Sequence, residues 1–154
     1  MSVRAWRVVK GKHKDTAFDG EGARRYGGRW NTPGKRMIYA AETASLAVLE
    51  LLVHIDSSLL PSYTLFPVDF DRSLVSTVEP SKLPRNWRTY PGPAALKRMG
   101  DEWLGSLSSP VLKVPSVIVP HEWNYLFNPE HSKFSSLKIG DAVSLEIDPR
   151  LLGK

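Results

Sequence analysis

The chain has no cysteine among its 154 residues. This absence excludes a disulfide framework, a thiolate metal site and a cysteine nucleophile, and it fits a reducing compartment. No apolar run approaches the roughly 20 residues that a membrane-spanning helix needs, and charged residues stand where a signal peptide would be apolar. We therefore expect a cytoplasmic protein that has no association with a membrane.

Internal repeats, low-complexity tracts and linkers are also missing from the sequence. A chain of this length can bury a core without metal or disulfide support, so we predict one compact domain over residues 1–154. Strand and helix patterns occur without a regular strand–helix–strand alternation. This order favours an α+β fold, with mixed or antiparallel sheets and flanking helices.

The positive charge is concentrated in the first quarter of the chain. Residues 1–40 hold ten Lys/Arg and three Asp/Glu, giving +7, whereas the remaining residues hold eleven and thirteen, giving −2. A local basic excess suits a phosphate group, an acidic protein or nucleic acid as ligand. A solvated basic surface accounts for it equally well.

Local patterns place the secondary structure. The irregular connections are expected at residues 11–36 and 79–93, where Gly, Pro and charged residues accumulate. Pro67 predicts an edge strand or a bulge, and residues 124–129 are interpreted as an Asn-stabilised turn with a structural role. Strands are predicted at residues 5–9, 37–40, 63–68 and 142–147, and helices at residues 44–53, capped by Thr43, and 94–104.

A lone carboxylate interrupts the helix predicted after Thr43. Glu50 is the only charged residue between Thr43 and Val53. The helix is apolar on most sides, which predicts that it is buried. An unpaired buried charge costs several kcal/mol, so Glu50 needs either a partner or a chemical role.

Arg29 follows a pair of glycines, Gly27 and Gly28. The glycines match neither the dinucleotide fingerprint nor the nucleotide-triphosphate loop. The Arg29 guanidinium can nevertheless hold a phosphate through two hydrogen bonds. A structural ion pair, with Glu50 as the candidate partner, is an equally good interpretation.

Several other residues have two interpretations each. Arg7 alternates with Trp6 and Val8, and an outward, solvated arginine is the commoner outcome in such a strand. Tyr39 is either a core tyrosine with a satisfied hydroxyl or a ring that stacks on a ligand. Ser116 lacks both a nucleophile elbow and a histidine base, so no hydrolase triad is expected, although its hydroxyl can still bind a ligand. The histidines show no metal-binding spacing, and we expect no metal site.

One carboxylate, one or two arginines and an aromatic hydroxyl suit the cleavage of an N-glycosidic bond to nicotinamide. The nicotinamide leaving group is already cationic, so the second carboxylate of an O-glycosidase is unnecessary. A single carboxylate can stabilise the oxocarbenium-like transition state while arginines hold the pyrophosphate. The competing hypothesis is a non-enzymatic basic domain that binds nucleic acid or a regulator. It predicts exposed aromatic rings among the basic residues and no enclosed pocket.

Taken together, the motifs resemble the RES domain family over nearly the whole chain. The resemblance is carried by the Trp6-Arg7 pair and by a Gly-Gly-Arg-Trp-Asn block that is followed by a Tyr and a Glu. The matching segments are residues 6–7, 20–31, 39–42, 47–50, 114–120 and 124–131.

The resemblance implies a toxin of a bacterial toxin–antitoxin pair, with a fold like that of ADP-ribosyltransferase toxins. RES proteins cleave NAD+ by hydrolysis or phosphorolysis, or modify a protein with ADP-ribose. NAD+ would be a substrate, and no permanently bound cofactor is expected. The implied partner is an Xre-type antitoxin with a helix-turn-helix region, in a complex where the toxin is a homo-oligomer that does not contact nucleic acid directly.

The resemblance also implies roles for individual residues. Glu50 would stabilise the ribosyl cation and Tyr39 would position the nicotinamide end. Arg29, joined by Arg7, would contact the phosphates or ribose of NAD+. Ser116 matches the serine of the family. The implied catalytic residues are Glu50, Arg29, Tyr39 and Ser116, and the implied NAD+ contacts are Arg7, Arg29, Tyr39, Asn124 and Asn128.

Overall fold

A computed structural model describes residues 1–55 and 62–153. The strands are β1 (Ser2–Lys10), β2 (Ile38–Ala41), β3 (Tyr63–Asp71), β4 (Val75–Thr77), β5 (Val111–Pro115), β6 (Trp123–Phe127), β7 (Lys138–Ile139) and β8 (Val143–Leu145). The helices are α1 (Glu21–Tyr26), α2 (Ala44–Leu52) and α3 (Ala94–Ser106). The predicted strand and helix starts near residues 5, 37, 44, 63 and 94 are therefore confirmed to within a few residues.

The strands form one mixed sheet. Their order is β4-β5-β6-β2-β1-β3-β7, and β8 pairs with β3 beside β7. The β4–β5 pair is parallel and the other pairs are antiparallel. A mixed sheet with flanking helices confirms the predicted α+β class.

The sheet is weakest between β1 and β2. β1 and β3 pair along their full length, from Ser2 opposite Asp71 to Lys10 opposite Tyr63. In contrast, β1 and β2 share a single register position, Trp6 opposite Ala41. The sheet therefore has two halves. One half consists of β4, β5, β6 and β2, the other of β1, β3, β7 and β8, and β1 and β2 diverge on either side of the Trp6–Ala41 pair.

The edge position predicted for Pro67 is wrong, whereas the alternative, a bulge, is confirmed. Between the pairs Leu65–Val143 and Val68–Ile139 the partner segment has one residue more than β3. β3 pairs with β1 on one side and with two short strands on the other. β8 ends its pairing at Leu65 and β7 begins at Val68, so the second ladder is interrupted where Pro67 has no N–H to donate. The Gly140 N–H donates to the Pro67 carbonyl at 2.8 Å, which joins the two pairings.

Both faces of the sheet are covered. One face carries a cluster that includes Ala5, Ile38 and Phe127. The other face carries a larger cluster beneath α3, which includes Trp103 and Leu126, and a smaller one beneath α2. Since side chains alternate along a strand, the odd-numbered residues of β2 and the even-numbered residues of β6 share the face that α2 and α3 cover.

Helix α2 begins as predicted but is less buried than predicted. The Leu46 N–H donates to the Thr43 hydroxyl at 3.0 Å, which confirms the N-cap. Only Leu46 and Ala47 of the helix are buried, whereas the side chains of Leu49 and Val53 are 38% and 60% exposed. The helix lies on the sheet through one narrow stripe, so its uniform apolarity misled the burial prediction.

The interpretation of residues 124–129 as an Asn-stabilised turn is wrong for residues 124–127 and is confirmed at Asn128, whose Oδ1 accepts from the Glu130 N–H at 3.0 Å. Residues 124–127 belong to β6, which pairs with β2 on one side and β5 on the other. The turn residues Asn128 and Pro129 lie just beyond its end. The apolar residues between the two asparagines extend into the sheet because both neighbouring strands supply hydrogen-bonding partners.

In the described part of the chain, no helix is long and apolar enough to cross a membrane.

Candidate active site

Helix α2 directs Glu50 towards the sheet. Glu50 follows the buried Leu46 by four residues and Ala47 by three, so the three side chains share one side of the helix. Leu46 and Ala47 pack against Ala41. The half-buried carboxylate of Glu50 therefore lies at the sheet surface, where Asn124 of β6 and Ser116 after β5 contact it.

The partners of Glu50 are neutral hydrogen-bond donors. The Ser116 hydroxyl donates to Glu50 Oε1 at 3.2 Å, and the Asn124 Nδ2 group donates to the same oxygen at 2.8 Å. Within residues 1–55 and 62–153, no donor reaches the second oxygen, Oε2. The carboxylate is thus held at one oxygen, and its other oxygen is available to a ligand.

Ser116 orients the carboxylate. Its hydroxyl is buried and accepts hydrogen bonds from the N–H groups of Ile118 and Val119, each at 3.1 Å, while its own proton points to Glu50. A hydroxyl has one donor and two acceptor positions, and all of them are occupied. Ser116 is therefore built to fix Glu50, in agreement with the expectation that it is not a hydrolase nucleophile.

Asn124 reaches the site from β6, opposite Val114 of β5 and Ala41 of β2. Its Nδ2 group faces Glu50, which orients the amide. The Oδ1 atom is buried and has no hydrogen-bond partner among the described residues. Buried acceptors of this kind are uncommon in folded proteins and are characteristic of functional sites.

Tyr39 lies beside Asn124 on the same face. Tyr39 pairs with Leu126, so Asn124 is its diagonal neighbour across β2 and β6, within reach of an aromatic side chain. The Tyr39 hydroxyl donates to Asn31 Oδ1 at 2.6 Å and accepts from the Trp30 N–H at 3.1 Å, and burial raises the pKa of this hydroxyl. The polar end of Tyr39 is therefore used within the fold, and its ring is the part that it offers to a ligand.

Residues 27–32, here called the arginine loop, fit closely over Tyr39 because of Gly28. A Cβ atom at Gly28 would lie 2.5 Å from the Tyr39 hydroxyl, so only glycine permits this approach. The next residue, Arg29, uses Nη1 to donate to the carbonyls of Trp87 at 3.0 Å and Thr89 at 3.1 Å. Its Nε and Nη2 groups donate to no residue in the described segments.

Arg29 does not form the ion pair that the sequence left open. None of the salt bridges between described residues joins Arg29 to Glu50. The Arg29 guanidinium is instead anchored at one nitrogen by backbone carbonyls. Its remaining donors match the geometry of a phosphate or carboxylate group.

Arg7 is not the solvated arginine that strand statistics favour. Its Nε donates to the Ala17 carbonyl at 2.6 Å and its Nη1 to the Tyr39 carbonyl at 2.8 Å, and burial lowers the pKa of Arg7 to about 10. Arg7 shares the face of Ala5 and Phe66, opposite the Tyr39 side chain. It bridges the two halves of the sheet where β1 and β2 separate, and it does not contact Glu50.

The structure does not bring Asn128 into the site. Its Nδ2 donates to the Leu104 carbonyl at 3.2 Å, and its Oδ1 accepts from the Glu130 N–H at 3.0 Å. The side chain is buried at the opposite end of β6 from Asn124. Both ends of its amide stabilise the loop that follows β6, so the expectation that it lines a ligand cleft is not supported.

Two open surface depressions lie away from the Glu50 cluster. One is lined by Tyr63 and Ser144 among others, and the second by Asp69 and Ser136. Neither contains a predicted site residue. We place the candidate site at Glu50 because two neutral donors orient its carboxylate and a buried amide oxygen without a described partner lies on one of them.

Sequence reasoning gave no role to the residues of α3 that contact the arginine loop. Asp101 accepts two hydrogen bonds from Thr32, and Lys97 donates to the Gly28 carbonyl. In the sequence, Lys97 and Asp101 form an ordinary surface pair one helical turn apart. The available signal was Gly100, since a glycine inside a helical pattern often marks close packing.

Comparison with protein-family profiles matches residues 4–148 to the RES domain. A protein named Toxin Res from Yersinia enterocolitica is 44% identical over 148 residues, which cover 95% of this chain and 97% of the relative. Another Toxin Res, from Photorhabdus laumondii, is 34% identical over 149 residues, covering 96% of each chain.

A third relative carries a more specific name. The Prs ADP-ribosylating toxin of Sphingobium sp. (strain YBL2) is 34% identical over 160 residues, covering 100% of this chain and 99% of the relative. This full-length similarity fits the ADP-ribosyltransferase-like fold expected for the mixed sheet with flanking helices. With the family profile matched from Arg4 to Asp148, the chain belongs to the RES domain family.

Proposed function

We propose that the protein is a toxin that binds NAD+ between α2 and the arginine loop and cleaves its nicotinamide–ribose bond. The observation that carries this proposal is the state of Glu50. Its carboxylate is fixed through Oε1 by Ser116 and Asn124, while Oε2 accepts from no described residue. A preoriented anion of this kind is suited to stabilise positive charge that develops on a ribose.

The reaction needs a single carboxylate. The bond between the ribose C1′ atom and the pyridinium nitrogen breaks, and both electrons leave with nicotinamide, which departs neutral. The ribose carries the positive charge of an oxocarbenium-like transition state. Glu50 stabilises this charge and accepts a hydrogen bond from a ribose hydroxyl through Oε2, so no general acid is required.

The rest of NAD+ is held by groups that flank Glu50. Arg29 has donors left at Nε and Nη2, and these bind the pyrophosphate. The Tyr39 ring packs against the nicotinamide end. Arg7 supports the site through the Tyr39 carbonyl, and a direct contact to the ligand, as the family resemblance implies, remains part of the proposal.

The acceptor completes the reaction. Water gives ADP-ribose and releases a proton, whereas inorganic phosphate adds through an oxygen and gives ADP-ribose 1″-phosphate. These two outcomes deplete cellular NAD+. Transfer of ADP-ribose to a protein side chain is the second candidate, and the relative named Prs ADP-ribosylating toxin favours it.

The biological setting follows from the same relatives. Proteins named Toxin Res support a toxin role, and with it a cognate antitoxin, for which an Xre-type protein is our proposal. We place the pair in the cytoplasm, where NAD+ is available. The basic excess of residues 1–40 suits an acidic segment of such a partner as well as the pyrophosphate.

The non-enzymatic alternative has two observations in its favour, of which one is that the surface depressions described above are open. Tyr26 and Tyr90 are 81% and 84% exposed and lie in basic segments, as a nucleic-acid-binding surface would require. A nucleic-acid-binding role does not account for the hydrogen-bonded Glu50 cluster. The enzymatic proposal accounts for the cluster, and the two hypotheses differ in whether NAD+ is consumed.

The experiment measures nicotinamide release from NAD+ by purified protein, with and without inorganic phosphate. We expect release by the wild type and a loss of about a hundredfold or more in Glu50→Gln, because the stabilising charge is removed. Glu102→Gln changes an exposed carboxylate of α3 and serves as the matched control with unchanged release. Equal release by Glu50→Gln, or no release by the wild type with any acceptor, would contradict the proposal.

A cellular measurement separates the acceptors. Induction without an antitoxin should stop growth and lower the NAD+ concentration if water or phosphate is the acceptor. Arrested cells with unchanged NAD+ would instead identify protein modification as the activity. The same induction with Glu50→Gln should leave growth unaffected.

A further inference from the structure

Helix α3 forms hydrogen bonds with the chain on both sides of Arg29. Before Arg29, Lys97 Nζ donates to the Gly28 carbonyl. After it, Thr32 donates to Asp101 twice, from its N–H to Oδ1 at 3.1 Å and from its hydroxyl to Oδ2 at 2.7 Å. The arginine therefore stands in a short stretch of backbone whose two ends are fixed to one rigid helix.

The helix also touches the segment between these two ends. Gly100 is buried, and a Cβ atom there would lie 2.8 Å from the Trp30 carbonyl carbon and closer still to its oxygen. Such contact is possible only because residue 100 has no side chain. Lys97, Gly100 and Asp101 are three and four residues apart, so they form one face of α3.

Asp101 has an unusual set of partners for a carboxylate. Both of its oxygens accept from Thr32, and no salt bridge joins it to a cation within residues 1–55 and 62–153. Hydrogen bonds to a charged acceptor are about twice as strong as those between neutral groups. The charged carboxylate of Asp101 therefore holds Thr32 in place.

The side chain of Arg29 depends on the same region. Its Nη1 is anchored by the carbonyls of Trp87 and Thr89, which lie in the segment that leads into α3. Helix α3 fixes the backbone around Arg29, and the carbonyls of Trp87 and Thr89, which precede α3, fix its guanidinium. A shift of the helix relative to the loop would move the donors Nε and Nη2 away from the ligand.

We propose that Asp101 is a positioning residue, which sets Arg29 against the phosphate groups of the bound dinucleotide through Thr32. This inference rests on the proposed function, since it assigns the ligand contact to Arg29. Asp101 itself does not touch the ligand. Its effect falls on binding of the pyrophosphate, and the chemistry at the ribose depends on Glu50 instead.

The test measures NAD+ binding by calorimetry in the Glu50→Gln protein, in which turnover does not consume the ligand. We expect Asp101→Ala to weaken binding about tenfold, as the loss of a charged hydrogen-bonding anchor does. Arg29→Ala should weaken binding about a hundredfold. The protein that carries both Asp101→Ala and Arg29→Ala should bind NAD+ no more weakly than the protein with Arg29→Ala alone, because Asp101 acts only through Arg29.

Turnover by the protein with Glu50 intact gives a second readout. Asp101→Ala should raise KM for NAD+ about tenfold and leave kcat within about twofold, which a general loss of structure would not do. Asp101→Asn keeps one acceptor and should restore part of the affinity. If Asp101→Ala does not fold, Thr32→Val removes the hydroxyl donor alone, and Thr32→Ser, which keeps it, should bind as the parent does.

Several results would overturn the inference. Unchanged NAD+ binding by a folded Asp101→Ala protein would do so, as would losses that add in the double variant. Unchanged binding by Thr32→Val would have the same meaning. No NAD+ binding and no nicotinamide release by the wild type would overturn the proposed function together with this inference, whereas normal binding by Asp101→Ala overturns the inference alone.

Discussion

Replacing Gly100 by alanine should force α3 away from the arginine loop. The added methyl would lie 2.8 Å from the Trp30 carbonyl carbon and 3.1 Å from the Trp30 Cβ atom, where carbon atoms normally approach to about 3.5–4.0 Å. The two backbones must therefore separate by about 1 Å or more. Backbone atoms cannot turn aside as a flexible side chain does, so the helix or the loop has to move.

The free-energy cost follows from the contacts that the movement disturbs. Overpacking of a filled core costs about 1–3 kcal/mol. The pair of hydrogen bonds from Thr32 to Asp101 would be strained or lost, at about 1.5–3 kcal/mol for a charged acceptor. Alanine regains about 1 kcal/mol of helix propensity. We expect Gly100→Ala to lower the free energy of unfolding by about 2–5 kcal/mol.

Thermal unfolding followed by circular dichroism measures this effect. For a chain of this size each kcal/mol shifts Tm by about 2–4 °C, so Tm should fall by at least about 4 °C. Gly105→Ala in the same helix is the matched control, because a Cβ atom there meets nothing within 4 Å. Its Tm should rise slightly. If Gly100→Ala is as stable as Gly105→Ala, the close approach of α3 to the loop is refuted.

Three further predictions concern charged groups. Arg7→Lys cannot keep both carbonyl contacts and should cost about 1–3 kcal/mol. Arg4→Lys weakens only an exposed pair with Asp69 and should cost about 1 kcal/mol or less; equal losses would contradict this reasoning. The pKa of Asp71 is lowered to about 2, chiefly by the backbone N–H two residues later. The stabilisation by Asp71 is therefore complete above the pKa of the unfolded state, near 3.8, and is lost as pH falls towards 2. In the Asp71→Asn protein the free energy of unfolding should depend less on pH in this range. The same pH dependence as in the wild type would contradict this prediction. Asn124→Asp would place a second carboxylate at the 2.8 Å contact with Glu50, where two negative charges repel each other. The stability of the variant relative to wild type should then decrease as pH rises and both carboxyl groups ionise, and a difference that does not change with pH would argue against the contact.

Local sequence patterns were reliable where local interactions decide the structure. Thr43 was recognised as an N-cap because its hydroxyl bonds within its own helix, to the Leu46 N–H. The apolar spacing of α3 was equally readable, with Leu96, Trp103 and Leu104 buried on one side. The short strand β2 followed from its apolar residues and from the turn residues before it.

The same local reasoning failed where neighbouring strands decide the structure. Asn124 and Pro129 favour turns, yet the residues from Asn124 to Phe127 are a strand because β2 and β5 pair with both edges. Pro67 reads as an edge position, yet it occupies an interior strand because its second partner changes there. The strand pattern predicted an exposed Arg7, yet its guanidinium donates to two backbone carbonyls where β1 and β2 diverge.

The sequence by itself determined that Glu50 is anomalous, that Arg29 stands on a glycine-shaped loop, and which family these motifs belong to. These conclusions depend on residue types and short spacings. Only the tertiary structure decided what holds each residue in place. Ser116 and Asn124 meet Glu50 across 66 and 74 residues of chain, through a strand register that no local pattern encodes. The separation of Arg29 from Glu50 likewise depends on α3, because close packing against Gly100 sets where the loop lies.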